Sequence, residues 1–292
     1  MALCKNTTLA ALSSDYLNNV IKDYYAESTY QSYKTRLDKY VLPSLGAIKV
    51  SDLKKLDIQN LIWGLGKASP SISPITVRLV RSILNRILDF AVDIEIVQKN
   101  VSDRILLPSL SKYQPRVYTL EEALRLMNIA CGTILYMPIF IALNTGLRRS
   151  EILALEWRDI DFDNGIIAVR KAVQGRHMSH PKTTKSCRHL KVSAMLINAL
   201  KEHQHKQKHH HAYVICKEDG GLYNPSYISR AFNELLKKNG MPLIRFHDLR
   251  HTYATHAHFN GMPAKALSLS LGHQSSAITL DNYVHFSSVG KE

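Results

Sequence analysis

ILYMPIFIALNTGLRRSEILALEWRDIDFDNG, residues 134–165, is where this chain changes character. Ile134–Asn144 is an apolar run of helical length. Gly146 interrupts it, and a further helix opens near Ser150. From Trp157 the pattern is different. Asp163-Asn164-Gly165 is a hairpin-type turn, and Ile166–Val173 is β-branched and alternating. Two further extended runs, 180–183 and 188–193, are joined by a Thr-Lys-Ser turn. The reading is a small three-stranded antiparallel sheet set into a mainly helical chain.

Downstream, Asn224-Pro225 opens a helix as N-cap and first-turn proline, and Gly240 closes it. The remainder is helical, with breaks at Gly261-Met262-Pro263 and at Gly272. Upstream, Thr119 with Glu122 forms a capping box. The segment before it, with Pro108, Lys112, Pro115 and Arg116, is a linker. The first hundred residues are helical. Tyr30, Tyr33, Leu37 and Val41 recur at helical spacing, a break follows at Pro43 and Gly46, and Asp57–Trp63 is amphipathic. Gly64–Pro74 is expected to be a loop. Val80, Ile83, Leu84, Ile87, Leu88, Ala91 and Ile94 make one apolar helix face, and Arg78, Arg81 and Asn85 share another. The expected organisation is a helical domain over 1–107, a linker over 108–118, and a mixed α+β domain over 119–292.

The formal charge is +14, which favours a polyanionic partner, nucleic acid first among them. The excess is not a tail. Residues 1–112 hold 15 Lys+Arg against 10 Asp+Glu, and the rest holds 23 against 14. Arg78 and Arg81 are therefore DNA-binding candidates, although such a face is more often simply solvated. Cys4, Cys131, Cys187 and Cys216 lack metal-ligand spacing and read as reduced cytoplasmic thiols. The histidine-rich stretch Lys201–His211 lacks the pattern of a metal site and reads as a solvated helix end. No apolar run reaches membrane-spanning length, and the start lacks the apolar core of a signal peptide. The expected location is the cytoplasm.

Four segments carry chemistry: Thr145–Glu151, Pro181-Lys182-Thr183, His247–Arg250, and Leu271-Gly272-His273 followed by Tyr283. Arg148 and Arg250 are permanently charged forks suited to a phosphate. His247 and Arg250 stand at i and i+3 on one helix face. Two guanidiniums can neutralise a phosphoryl transition state without a metal. A phenol, with an ordinary pKa of about 10, needs a strongly cationic site to attack near neutrality. The leaving 5′-oxygen needs a proton, which a lysine can supply. Each residue taken singly has an ordinary structural explanation; their order and spacing together do not.

That order resembles the tyrosine recombinase (phage integrase) family over nearly the whole chain. TGLRRSEILALEWRDID (145–161) is similar to its first box, which makes Arg148 the first catalytic arginine and Glu151 its acidic support. PKTTKSCRHLKVS (181–193) resembles the lysine hairpin and points to Lys182. HDLRHTYAT (247–255) resembles the second box, with His247 and Arg250. LGHQSSAITLDNYVH (271–285) resembles the last box, with His273 and the nucleophile Tyr283. Lys191 departs from the family, which often has proline there. The resemblance implies that the helical SAM-like core-binding domain begins within the first few residues, with no arm-binding domain expected ahead of it. The resemblance implies strand exchange through a 3′-phosphotyrosyl bond on double-stranded DNA at specific sites. It also implies a homotetramer, no cofactor and no metal, with an accessory or excisionase protein as a candidate further partner. Integration or excision of a mobile element is the expected role. A type IB topoisomerase-like enzyme and a catalytically silent DNA-binding accessory protein are the alternatives.

Overall fold

The computed structural model describes residue 4 and residues 6–67, 72–110, 115–174, 177–179, 187–207 and 211–272. The chain divides into two compact units, Met1–Tyr113 and Gln114–Glu292.

The first unit is helical among its described residues. Its elements are α1 (Leu9–Tyr16), a π-turn (Leu17–Ile21), α2 (Lys22–Tyr24), α3 (Glu27–Arg36), a second π-turn (Leu37–Val41), α4 (Leu42–Leu45), α5 (Lys55–Lys67) and α6 (Pro74–Asp93). Ser73 caps α6 by accepting from the Thr76 N–H, and Pro74 fills the first turn, where a missing N–H costs nothing. The apolar face from Val80 to Ala91 is buried as expected. Ile94 is not, because it lies past the helix end and is 37% exposed.

Two expectations fail here. The chain does not break at Pro43: the π-turn passes the Leu42 N–H back to the Leu37 carbonyl, and Pro43 enters the first turn of α4, where no donor is required. The break comes at Gly46. The loop expected from Gly64 is also shorter, since α5 runs on to Lys67. Burial of Ile58, Gln59 and Ile62 on one face of α5 offsets the cost of two helical glycines, about 1 kcal/mol each.

The second unit contains α7 (Leu120–Ala130), α8 (Tyr136–Thr145), α9 (Arg149–Ile152), β1 (Ile160–Asp161), β2 (Ile166–Val169), β3 (Ala172–Gln174), β4 (His177–Ser179), β5 (Arg188–Lys191), α10 (Ala194–Lys206), α11 (Pro225–Lys238), α12 (Asp248–Phe259) and α13 (Ala264–Leu271). The Thr119–Glu122 capping box opens α7, and Asn224 caps α11. Tyr118, read from the sequence as linker, is wholly buried in this unit's core, and its N–H donates to Thr252 Oγ1.

The three-stranded antiparallel sheet is present in the order β1-β2-β5, with Ile167 opposite Leu190. Its membership differs from expectation. Ile166–Val173 is two strands, because Arg170 and Lys171 turn out to the buried carboxylates of Asp159 (3.7 Å) and Glu156 (2.6 Å). β3 pairs with β4 in a separate ribbon. β1 supplies the strand that the Asp163-Asn164-Gly165 turn requires on its near side. The run 180–183 lies outside the described residues.

Candidate active site

The site is built where α8, α12 and α13 meet. Gly146 ends α8 in the left-handed region (φ +64°), and a Cβ there would lie 2.5 Å from the Tyr253 ring and 2.7 Å from Leu271. Only glycine allows that approach. The turn that Gly146 makes leads directly to Arg148 at the head of α9.

Three arginines from distant segments converge on one helix end. Arg250, on α12 and 2% exposed, donates from Nη2 to the Leu271 carbonyl (2.7 Å) and from Nη1 to the Gly146 carbonyl (2.9 Å). Arg148 Nη2 donates to the Gly272 carbonyl (3.4 Å). Arg188 Nε, on β5, donates to the Ser270 carbonyl (2.8 Å). Residues 270, 271 and 272 thus each accept from a different guanidinium. The last carbonyls of a helix lack partners within it and carry the negative end of its dipole. The end of α13 is therefore a natural mould for cations.

Glu151 sits among these charges. Its Oε1 accepts from Arg148 Nη1 (2.9 Å) and Arg188 Nη1 (3.1 Å), and its Oε2 from the Arg148 N–H (2.9 Å) and Arg188 Nη2 (2.9 Å). Burial pushes this carboxyl up, but hydrogen bonds and charge from Arg188, then Arg148, outweigh it and hold Glu151 below the usual carboxylate range. The Arg148 side chain is 38% exposed, against 8% for Arg188. Arg148 is thus the fork that faces solvent.

His247 immediately precedes α12. Loss of water, and then the Arg250 charge, push its pKa down to about 4, although the residue keeps an exposed surface. Its ring meets that of His251 edge-on at 5.5 Å, and burial pushes His251 down as well. Both imidazoles are neutral near pH 7. At the same helix start the buried Asp248 accepts the Arg245 N–H (2.7 Å) and pairs with its guanidinium (2.8 Å).

Of the residues singled out from sequence, Arg148, Glu151 and Arg250 lie together, with His247 at the N-cap of the helix that carries Arg250. Lys182, His273 and Tyr283 lie outside the described residues, although His273 directly follows Gly272 in the chain. Arg78 and Arg81 are occupied elsewhere. Arg78 donates twice to the Pro108 carbonyl (2.9 and 3.2 Å), and Arg81 donates to that of Ser102 (3.1 Å). A cavity of about 800 Å³ is lined by Cys131, Tyr136, His203 and Cys216 among others, and by none of the converging arginines. His203 bonds the Val214 carbonyl there (2.9 Å).

Sequence reading missed Arg188. A signal was available: in β5 it shares a face with buried Leu190, and an inward-facing charge in a strand demands a partner.

Two family models match the chain: the phage integrase family over residues 116–288 and the phage integrase N-terminal SAM-like domain over residues 8–66. A tyrosine recombinase XerC-like protein of Caldanaerobacter subterraneus subsp. tengcongensis is 28% identical, covering 96% of this chain and 80% of its own length. Among solved structures, the Tn1549 transposon integrase in complex with transposon right end DNA superposes with a TM-score of 0.81 at 21% identity, over 95% of each chain. A lambda integrase dimer bound to a COC′ core site gives 0.79 at 17% identity, over 99% of this chain and 80% of that one. At such identities the structural likeness speaks for the fold. No described helix is long and apolar enough to cross a membrane.

Proposed function

The chain belongs to the phage integrase family and is a tyrosine-type site-specific DNA recombinase, and we propose that Tyr283 is the nucleophile of its strand exchange, acting on a phosphate held by Arg148 and Arg250. The observation that carries this reading is the convergence of both guanidiniums on the carbonyls of Leu271 and Gly272 at the end of α13, immediately before His273 in the chain and eleven residues before Tyr283 at the nearest.

The chemistry follows from the charges. The Tyr283 phenolate oxygen attacks the scissile phosphorus, forming a 3′-phosphotyrosyl ester and expelling the 5′-oxygen, which takes a proton from Lys182. A 5′-hydroxyl of the partner duplex then attacks that ester and returns the tyrosine. One ester bond is exchanged for another in each step, so no nucleotide is consumed. Arg148 and Arg250 stabilise charge on the non-bridging oxygens. Glu151 holds the Arg148 fork, and neutral His247 can share a proton with a phosphate oxygen. The resemblance of residues 271–285 to the family's last box supports His273 as a second imidazole at the same phosphate. The substrate is double-stranded DNA at specific sites, bound by a homotetramer, in the integration or excision of a mobile element.

The test is covalent capture. Nicked duplexes with randomised cores are incubated with protein, and denaturant-resistant complexes are recovered and sequenced. Wild type is expected to enrich a defined core and to keep doing so in excess EDTA, and Tyr283→Phe to trap nothing. Trapping by Tyr283→Phe, or no adduct from wild type, would overturn the reading.

A further inference from the structure

The proposed chemistry leaves one buried charge without a task. Arg188 is 8% exposed, too enclosed to be a primary contact for DNA, yet it makes three of the hydrogen bonds that define the site. Two go to Glu151 and one to the Ser270 carbonyl. We propose that Arg188 is a positioning residue for recombination, holding Arg148 through Glu151 and tying that fork to the helix end that leads on to His273 and Tyr283. This rests on the assignment of Arg148 to the scissile phosphate made above.

Glu151 accepts four hydrogen bonds, two on each oxygen, which fills the lone-pair sites of a carboxylate. Half of them come from Arg188. Without them the carboxylate is held only by Arg148, and the partly exposed Arg148 side chain can swing with it. Charge points the same way. Glu151 alone would cancel the charge of Arg148, whereas the second guanidinium restores a net positive site for a phosphate. The forked shape matters too, because the two terminal nitrogens span both Glu151 oxygens while Nε reaches Ser270. A Cβ on Gly272 would come within 3.0 Å of Arg188 Nη1, so the fork is packed against the αL turn of Gly272 itself. Finally, Arg188 opens β5, the strand that follows the segment holding Lys182 and Lys185. One side chain therefore links the lysine segment, the first arginine and the helix end before the nucleophile.

The test uses the full chain and a nicked duplex recovered by the covalent capture described above. Single-turnover cleavage is followed at saturating protein, below the melting temperature of every variant. Arg188→Gln is expected to slow the rate constant by about 10–100-fold, the range found when an outer partner of a functional ligand is removed, with full final amplitude. Affinity for the same duplex, measured in a Tyr283→Phe background, should stay within about threefold. Because the effect runs through Glu151, Arg188→Gln combined with Glu151→Gln should cleave no more slowly than the slower single variant. If Arg188→Gln does not fold, Arg188→Lys keeps the charge and loses the fork, and is expected to show the same slowing in smaller degree. A normal rate constant with reduced amplitude would mean that Arg188 serves the fold alone, and additive losses in the double variant would mean that it does not act through Glu151. Either overturns the proposal while leaving the assignment of Tyr283 intact. Absence of any wild-type adduct removes both.

Discussion

Arginines bond backbone carbonyls in both units, to different ends. In the first unit Arg78 and Arg81 reach from α6 to Pro108 and Ser102, and Gln59 adds bonds to both the N–H and the carbonyl of Leu106. Each contact fastens a different point of one returning segment to the helices beneath it. In the second unit Arg148, Arg188 and Arg250 reach from three segments to three successive carbonyls, with Glu151 between two of them. Spread contacts hold chain, while converging contacts concentrate charge. The difference separates a stapled surface from the proposed phosphate site better than the presence of arginine does.

The largest expected effect sharpens the second half of that comparison. Lys182 and Lys185 lie in the same segment, and either could protonate the leaving oxygen. Lys182→Ala should slow cleavage by about two to four orders of magnitude. A bridging 5′-sulfur, which leaves without a proton, should restore it. Slow, sulfur-rescued cleavage in Lys185→Ala instead would move the acid to that residue.

Next comes a direct contrast between the two units. Arg250→Ala should lower the cleavage rate constant by about 10²–10³-fold, with no rescue by sulfur. Arg81→Ala should leave that rate constant unchanged and cost about 1–3 kcal/mol of stability, measured by denaturant unfolding, because the Ser102 carbonyl loses its donor. A cleavage defect in Arg81→Ala that persists at saturating DNA would break the distinction.

Acid should act on the second unit through named groups. His247 is pushed down to about 4, below its unfolded value of about 6.5. Its contribution to stability is therefore present above about pH 6.5 and is lost as pH falls toward 4. Glu151, also held below its ordinary value, contributes above about pH 4.3 and loses that contribution as pH falls through its folded value. Melting temperature against pH should fall less between 6.5 and 4 in His247→Gln than in wild type, with His251 supplying the remaining slope. An unchanged curve would contradict the burial of a neutral imidazole at this helix start.

The smallest effect is a null result with a consequence. DNA affinity should fall steeply with salt if basic groups grip phosphates. Arg78→Ala should leave the log–log slope unaltered, since its fork is committed to Pro108. A slope shallower by about one would return Arg78 to the DNA-contacting face.

Much of this fold was legible because local signals and packing agreed. The capping box at Thr119, the cap and proline at Asn224-Pro225, and the apolar face of α6 all appear where the sequence puts them. The failures have local causes. Pro43 was tolerated by a π-turn, α5 outran its glycines because one face is buried, and Arg170-Lys171 left the strand for buried carboxylates. Arg148, Glu151 and Arg250 were legible as residues but not as a geometry. Nothing in local patterning says that carbonyls 270–272 receive three guanidiniums, because those pairings reach across 124, 82 and 21 residues of chain. Arg188 shares a strand face with buried Leu190, a local sign that its charge is partnered, but its partners Glu151 and Ser270 lie far off in the chain.

Charge neutralisation by the converging arginines is open to one direct measurement. A duplex with a methylphosphonate at the scissile position lacks the negative charge that Arg148 and Arg250 are proposed to meet. Single-turnover cleavage of phosphate and methylphosphonate duplexes is compared for wild type, Arg148→Ala and Arg250→Ala. The variants should lose about 10²-fold or more on phosphate, and the deficit should shrink at least tenfold on the neutral ester. An equal deficit on both substrates would contradict charge neutralisation, because the arginines would then be needed for something other than the charge of the phosphate.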